Sequence, residues 1–181
     1  MFNKSDDMGR APIRVAVVTV SDRASSGERI DQSGPALVEL VERRLGRVIQ
    51  TAVVPDERSM IQVELERLME QGGIDLVLTT GGTGVSPRDV TPEATRDVIE
   101  REVPGIAELM RLEGLRRTPF AMMSRAVCGI SKRSVILNLP GSPTGAVESL
   151  EAVLPLLPHL MKKVQGDPSD CARVGGEEQA R

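Results

Sequence analysis

The sequence predicts an α/β fold: a mostly parallel sheet covered by helices on both faces, with one antiparallel strand. Three observations carry that expectation. Short β-branched runs alternate with longer amphipathic segments, the pattern of βαβ units. Ile13 to Val20 and Leu76 to Thr80 are apolar with little alternation, as in strands buried on both sides. Several strand ends run straight into loops rich in Gly, Pro and Asp, and open sheets of this class bind ligands at such ends.

In chain order, residues 1–12 are polar and close on Pro12, a flexible lead-in. Residues 13–165 read as one α/β domain with no internal repeat, and the Gly-rich polar stretch 166–181 reads as a disordered tail. Ile13 to Val20 is a central strand that exits into the small, polar loop Ser21 to Glu28. Ser33-Gly34-Pro35 starts a helix with Leu37, Val38, Leu40, Val41 and Leu45 on one broad face. Val48 to Val54 is a second strand that ends at Pro55-Asp56-Glu57. The helix Ser59 to Met69 stops at Gly72-Gly73. After the strand at Leu76, Thr91-Pro92-Glu93 is a helix start: a Thr N-cap, Pro at the first position and an acid in the first turn. That helix should reach Glu102, with Ala94, Val98 and Ile99 facing inward, before Pro104-Gly105 breaks it. A further helix covers Ile106 to Arg116. The apolar stretch Ala121 to Ile130 turns at Lys132-Arg133 and pairs with Ser134 to Leu139 as a hairpin, the source of the antiparallel strand. A last helix begins near Ala146 and is kinked or split by Pro155 and Pro158.

Composition narrows the function. The chain has 181 residues, enough for a sizeable core, and a net charge of −3. With two Phe, no Trp and no Tyr, the core must be aliphatic, and base stacking on single strands is a poor binding mode. The negative charge also argues against nucleic acid and membrane surfaces. No apolar run approaches the ~20 residues that span a bilayer, and the polar opening Asn3 to Asp7 is unlike a signal peptide. Cys128 and Cys171 stand far apart without a CxxC partner, so a reduced, cytoplasmic protein is expected. The single histidine, His159, fits a surface or packing role, which leaves little room for zinc or Ser-His-Asp chemistry.

The stretch Leu76 to Glu93 organises the rest. Gly81, Gly82 and Gly84 let a ligand approach the backbone, and successive N–H groups in such a turn form an anion-binding concavity. It is neither the dinucleotide fingerprint, whose third glycine would fall at Pro87, nor a P-loop, which needs Gly-Lys-Ser/Thr. Asp89 beside an anion cradle would repel the ligand unless a divalent cation lay between them. A phosphate site with a metal is therefore expected, and Mg²⁺ suits one or two carboxylates plus substrate phosphates. Asp22, Asp56 and Asp89 offer hard oxygens; Arg23 and Arg88 offer charge for phosphate. Each has a plainer alternative. The glycines can serve only to turn the chain, Asp56 to cap a helix, Asp22 to shape a turn, Arg88 as a solvated charge, and Pro140 to Pro143 as a rigid turn.

Taken together, Ser21-Asp22-Arg23-Ala24-Ser25-Ser26-Gly27, Pro55-Asp56-Glu57, Thr79-Thr80-Gly81-Gly82-Thr83-Gly84, Arg88-Asp89-Val90-Thr91-Pro92-Glu93, Ser124-Arg125 and Asn138-Leu139-Pro140-Gly141-Ser142-Pro143 resemble the MogA/MoaB family of molybdenum cofactor biosynthesis, in order, from Ile13 to Val164. The resemblance implies a three-layer α/β/α sandwich that assembles as a homotrimer or homohexamer. It implies Mg²⁺-dependent adenylylation of molybdopterin by ATP, giving adenylyl-molybdopterin and pyrophosphate, with a molybdenum-insertion protein downstream. Carried onto this chain, Asp56 and Asp89 are the catalytic and metal-binding acids. Ser21, Asp22, Gly81, Gly82, Thr83 and Gly84 would bind nucleotide or pterin, and Asn138, Pro140, Gly141 and Ser142 would close the site. The alternatives are a non-catalytic molybdopterin-binding or scaffold protein of the same family, and a different nucleotide-dependent enzyme on the same fold.

Overall fold

The computed structural model describes residues 12–168. Expectations for residues 1–11 and 169–181, Cys171 among them, lie outside the described residues. Six strands form one sheet: β1 Ile13–Val20, β2 Gly46–Val54, β3 Leu76–Thr80, β4 Arg101–Glu102, β5 Cys128–Ser131 and β6 Ser134–Leu139, in the order β2-β1-β3-β6-β5-β4. β2, β1, β3 and β6 pair in parallel. β5 runs antiparallel to both β6 and β4, so the hairpin supplies the reversed strand as predicted.

The helices are α1 Asp22–Ser25, α2 Ser33–Arg44, α3 Arg58–Gln71, α4 Thr91–Val98, α5 Pro104–Leu115, α6 Pro143–Val153 and α7 Leu157–Val164. Alternation along the central strands sorts them into layers. Val15 and Val17 of β1, with Leu76 and Leu78 of β3, face a core built from α2, α5, α6 and α7. Ala16, Val18 and Val77 face a second core under α3 and α4, with Ile61, Leu65, Leu68 and Ala94 fully buried there. Because both faces are covered, these strands read as unbroken apolar runs. The result is the expected three-layer α/β sandwich.

Several boundaries differ from expectation, each for a local reason. α4 stops at Val98 rather than Glu102, because Ile99 turns extended (φ −80°, ψ 147°). The chain then pairs with β5: Glu100 N donates to Ile130 O (2.8 Å) and Val103 N to Cys128 O (2.7 Å). Thr91 is not the N-cap of α4; Val90 holds that place, and Thr91 lies inside the helix with its hydroxyl turned to the glycine loop. Ala121 does not open a strand, since Pro119–Met123 is a 3₁₀ turn capped by the Thr118 hydroxyl. Asp22 to Ser25, expected as loop, makes one helical turn capped by Ser21. α6 begins at Pro143, where Ser142 Oγ accepts from Gly145 N, and α7 is the half split off by the proline pair. Among the described residues no helix is long and apolar enough to cross a membrane.

Candidate active site

The site starts where β3 ends. Gly81 and Gly82 take φ of +107° and +62°, which L side chains rarely adopt. A Cβ on Gly81 would stand 2.1 Å from Val20 O, and one on Gly82 would stand 2.3 Å from Thr91 Oγ1. The turn is pinned from three sides. Gly81 N donates to Leu139 O (3.2 Å) and Thr91 N to Gly82 O (3.1 Å). Thr91 Oγ1 donates to Gly81 O (2.8 Å). Thr80 Oγ1 donates to Pro140 O (2.7 Å), tying the neighbouring loop to the same place. A Cβ on Gly141 would stand 3.1 Å from Gly81 Cα, so Pro140 to Ser142 packs on the turn. The backbone N–H groups of Gly82, Thr83 and Gly84 donate to no backbone acceptor among the described residues. They are the raw material of an anion nest.

Two carboxylates border this turn. A Cβ on Gly82 would lie 3.2 Å from Asp56 Oδ1, and one on Gly84 would lie 2.9 Å from Asp89 Oδ2. Asp56 is held by Asp22 through reciprocal bonds: Asp22 N donates to Asp56 Oδ2 (2.8 Å) and Asp56 N to Asp22 Oδ1 (2.9 Å). Ser86 N donates to Asp89 Oδ2 (2.7 Å). Arg88 reaches from the loop to Asp22 (2.8 Å) and Glu57 (3.1 Å) in exposed ion pairs. Burial pushes the Asp56 carboxyl above the usual range, the charges of Asp22 and Asp89 add to that, and the Asp22 N–H and Arg88 oppose it. The Arg88 hydrogen bond and then the Asp56 N–H hold Asp22 below its usual value.

That electrostatic strain is the test of fit for Mg²⁺. Asp56 resists ionisation because it is buried and faces other carboxylates, and a divalent cation would relieve the repulsion. Asp56 and Asp89 each keep one oxygen, Oδ1, outside the bonds described, and both are hard donors. Among the described residues no group of three or more His, Cys, Asp or Glu is placed to hold a metal ion. A site of two carboxylates completed by water and substrate phosphates is the Mg²⁺ pattern that these residues fit.

Beside the turn lies a cavity of about 660 Å³, within the ~300–1,000 Å³ range of ligand pockets. One wall is the predicted one: Gly82, Thr83, Gly84, Asp89, Pro140, Gly141 and Ser142. The opposite wall, from α5, the 3₁₀ turn and α6, was not foreseen. It carries Thr118, Phe120, Met123 and the ion pair of Arg117 with Glu148 (2.6 Å). The available signal was Phe120, one of two aromatics in the chain, which is 71% exposed. The remaining predicted residues lie outside the cavity lining. Gly81 forms the start of the turn and Asp56 lies beside Gly82; Asp22 bonds Asp56, Arg88 bonds Asp22, and Ser21 caps α1. Arg23 is exposed on α1. Asn138 is 0% exposed: its Nδ2 donates to Thr79 Oγ1 (2.9 Å) and Thr95 Oγ1 (2.8 Å), and its Oδ1 accepts from Val127 N (3.1 Å). It braces β6 against β3, β5 and α4 rather than facing a ligand.

Residues 16–159 match the family described as "Probable molybdopterin binding domain". The chain is 41% identical over 157 residues to the molybdopterin adenylyltransferase of Helicobacter pylori strain J99, covering 86% of this chain and 89% of that one. It is 46% identical over 143 residues to the molybdopterin adenylyltransferase of Escherichia coli K12, covering 78% and 73%. Among solved structures, the molybdopterin biosynthesis enzyme MoaB of Thermus thermophilus superposes with a TM-score of 0.81 at 54% identity, covering 86% of this chain and 98% of that one. The turn, its flanking carboxylates and the cavity all lie within the matched span, and the chain belongs to this molybdopterin-binding domain family of molybdenum cofactor biosynthesis.

Proposed function

We propose that this chain catalyses the Mg²⁺-dependent adenylylation of molybdopterin by ATP, giving adenylyl-molybdopterin and pyrophosphate. The observation that carries the reading is the glycine turn at the wall of a 660 Å³ cavity, its amides without backbone acceptors among the described residues, with Asp89 on that wall and Asp56 beside Gly82. The names of the relatives supply the substrate class. The nucleophile is the terminal phosphate of molybdopterin, already anionic, so no strong base is needed. The bond formed joins that phosphate to the α-phosphorus of ATP; the bond broken releases pyrophosphate. What the protein must do is hold two anions in line and stabilise the charge that develops on the leaving group.

The residues divide that work. The N–H groups of Gly82, Thr83 and Gly84 bind phosphate oxygens. Asp56 and Asp89 would hold Mg²⁺, which when bound neutralises charge on the phosphates. Asp22 fixes the orientation of Asp56 through the reciprocal backbone bonds. Pro140 to Ser142 and the wall containing Phe120 shield the cavity from water. Arg88 is engaged by Asp22 and Glu57 and would exchange them for phosphate when the nucleotide arrives. We infer a cytoplasmic homotrimer or homohexamer that passes its product to a molybdenum-insertion protein. Exposed Leu112, Leu115 and Met122 support burial against another copy, and sedimentation gives the mass that decides it.

The test is turnover of ATP with purified molybdopterin, following adenylylated product by mass spectrometry. Product that requires Mg²⁺ and is lost in Asp89→Asn, with pterin binding retained, is the expected result. Tight pterin binding by the wild type without product would overturn it in favour of a binding or scaffold protein.

A further inference from the structure

We propose that Arg125 is a positioning residue of this site, a clasp that fixes both ends of the segment from Thr83 to Asp89 and thereby aims the Asp89 carboxylate. The proposal rests on the reading of Asp89 as a working carboxylate given above. Arg125 follows the 3₁₀ turn and touches the glycine loop and the helix after it at four points. Its backbone N donates to Thr83 O (2.9 Å). Its Nε donates to Gly84 O (2.7 Å), its Nη2 to Asp89 O, and its Nη1 pairs with Glu93 Oε1. The guanidinium thus bridges Gly84 and Asp89, the residues that bracket the exposed run Val85 to Arg88.

Little else holds that run. Its own bonds are short-range: Asp89 N to Ser86 O (2.9 Å), Ser86 N to Asp89 Oδ2 (2.7 Å) and a weak contact of Arg88 N with Ser86 Oγ (3.4 Å). Arg88 adds only exposed ion pairs, which hold weakly. Arg125 acts from behind. It does not line the 660 Å³ cavity but a second one of about 350 Å³ on the far side, with Arg96 and Arg111. It therefore reaches the chemistry through the loop backbone and not by touching substrate.

Glu93 is the other half of the device. Its Oε1 holds Arg125, while its Oε2 is buried without a hydrogen-bond partner among the described residues. An unsatisfied buried acceptor is costly, and such atoms call for an explanation. Burial pushes Glu93 up, but the Arg125 hydrogen bond, its own N–H and the charges of Arg125 and Arg96 outweigh this and leave it below its usual value. An ionised Glu93 sets the fork of Arg125 so that its remaining N–H groups point at Gly84 O and Asp89 O. A lysine keeps the charge but has no rigid fork to span two carbonyls.

The test compares Arg125→Gln, Arg125→Lys and Glu93→Gln with wild type. Four readouts apply: kcat and KM, hydrogen exchange of peptides covering 83–89, Mn²⁺ affinity of the free protein, and melting. In Arg125→Gln, kcat should fall about a hundredfold with KM for ATP and molybdopterin little changed. Mn²⁺ affinity should fall about tenfold, and exchange of 83–89 should accelerate while the rest of the sheet stays protected. Arg125→Lys should keep most of the defect. A raised molybdopterin KM at intact kcat would make Arg125 a substrate contact and overturn the proposal; so would unchanged exchange and Mn²⁺ affinity. If the wild type makes no product, exchange and Mn²⁺ affinity still decide the clasp by themselves. If Arg125→Gln does not fold, Glu93→Gln decides: faster exchange of 83–89 with a kcat loss of about tenfold supports the clasp, and wild-type behaviour refutes it.

Discussion

Gly82→Ala separates backbone strain from site geometry. Gly82 holds φ +62°, a conformation that costs an L residue ~1–2 kcal/mol. Its new Cβ would stand 2.3 Å from Thr91 Oγ1. Thr91 is 0% exposed, so its displaced hydroxyl finds no water when it loses Gly81 O. That bond contributes ~0.5–1.5 kcal/mol, which brings the total to ~1.5–3.5 kcal/mol. Gly27 is the control: φ is +78°, but a Cβ there meets nothing within 4 Å. Gly27→Ala should cost only the conformational part, ~1–2 kcal/mol. Urea unfolding of both variants measures the difference, expected at ~0.5–1.5 kcal/mol in favour of Gly27→Ala. Turnover should separate them further, because the Gly82 methyl would also lie 3.2 Å from Asp56 Oδ1. Equal stability and equal turnover for the two variants would refute the contact argument.

Asp56→Asn should raise the melting temperature at pH 7 while abolishing turnover. The folded-state pKa of Asp56 is raised, so ionising it opposes folding; the gain should shrink as pH falls through that raised value and be gone below the ordinary carboxylate value, and a lower melting temperature at pH 7 would contradict it. Asp75→Asn should do the reverse. Burial raises Asp75, but the hydrogen bonds and charge of Arg14, with Gln165, bring it below its usual value. Its contribution is present above the ordinary carboxylate range and is lost as pH falls through the lowered value, which denaturation at pH 7 and in acid can follow. Asn138→Ala should destabilise by about 2–4 kcal/mol, since it strands three buried partners, and leave KM for both substrates unchanged; a KM rise at preserved stability would make it a ligand contact. Arg88→Ala should leave stability nearly unchanged in urea unfolding because its ion pairs are exposed, yet raise KM for ATP.

Much of the fold was legible because burial on both faces leaves a local trace. β1, β3 and β6 are mostly apolar with little alternation, and the hairpin turn at Lys132 is marked by its polar pair. What was missed has no local trace. β4 is two exposed charged residues that become a strand only by pairing with Gly129 and Ile130. The stretch from Ala121 misled in the opposite way. Met122 and Met123 are 49% and 50% exposed, so an apolar composition there marks a surface and not a strand. Thr91-Pro92 carries the pattern of a helix cap, but Val90 takes the cap position and the Thr91 hydroxyl, one place inside α4, donates to Gly81 O.

The site divides along the same line. Gly81, Gly82, Asp56 and Asp89 were expected together because glycines and acids at strand ends stand out locally, and the structure gathers them around one turn. Asn138 was misplaced because it lies one residue inside β6, where its amide is consumed by Thr79, Thr95 and Val127. The second cavity wall comes from α5 and α6, distant in sequence from the glycine turn and brought to it only by the packing of the layer above the sheet. Asp56 shows why such a site carries a cost in stability. The same burial and neighbouring charges that make it ready for a cation push its carboxyl toward neutrality when none is present. Asp22 and Arg88 hold that strain in place instead of removing it, one through the backbone and the other through an exposed ion pair. A fold optimised for stability alone would place an amide at Asp56; on the reading proposed above, the carboxylate gives up that stability to offer a divalent cation a charged, hard oxygen.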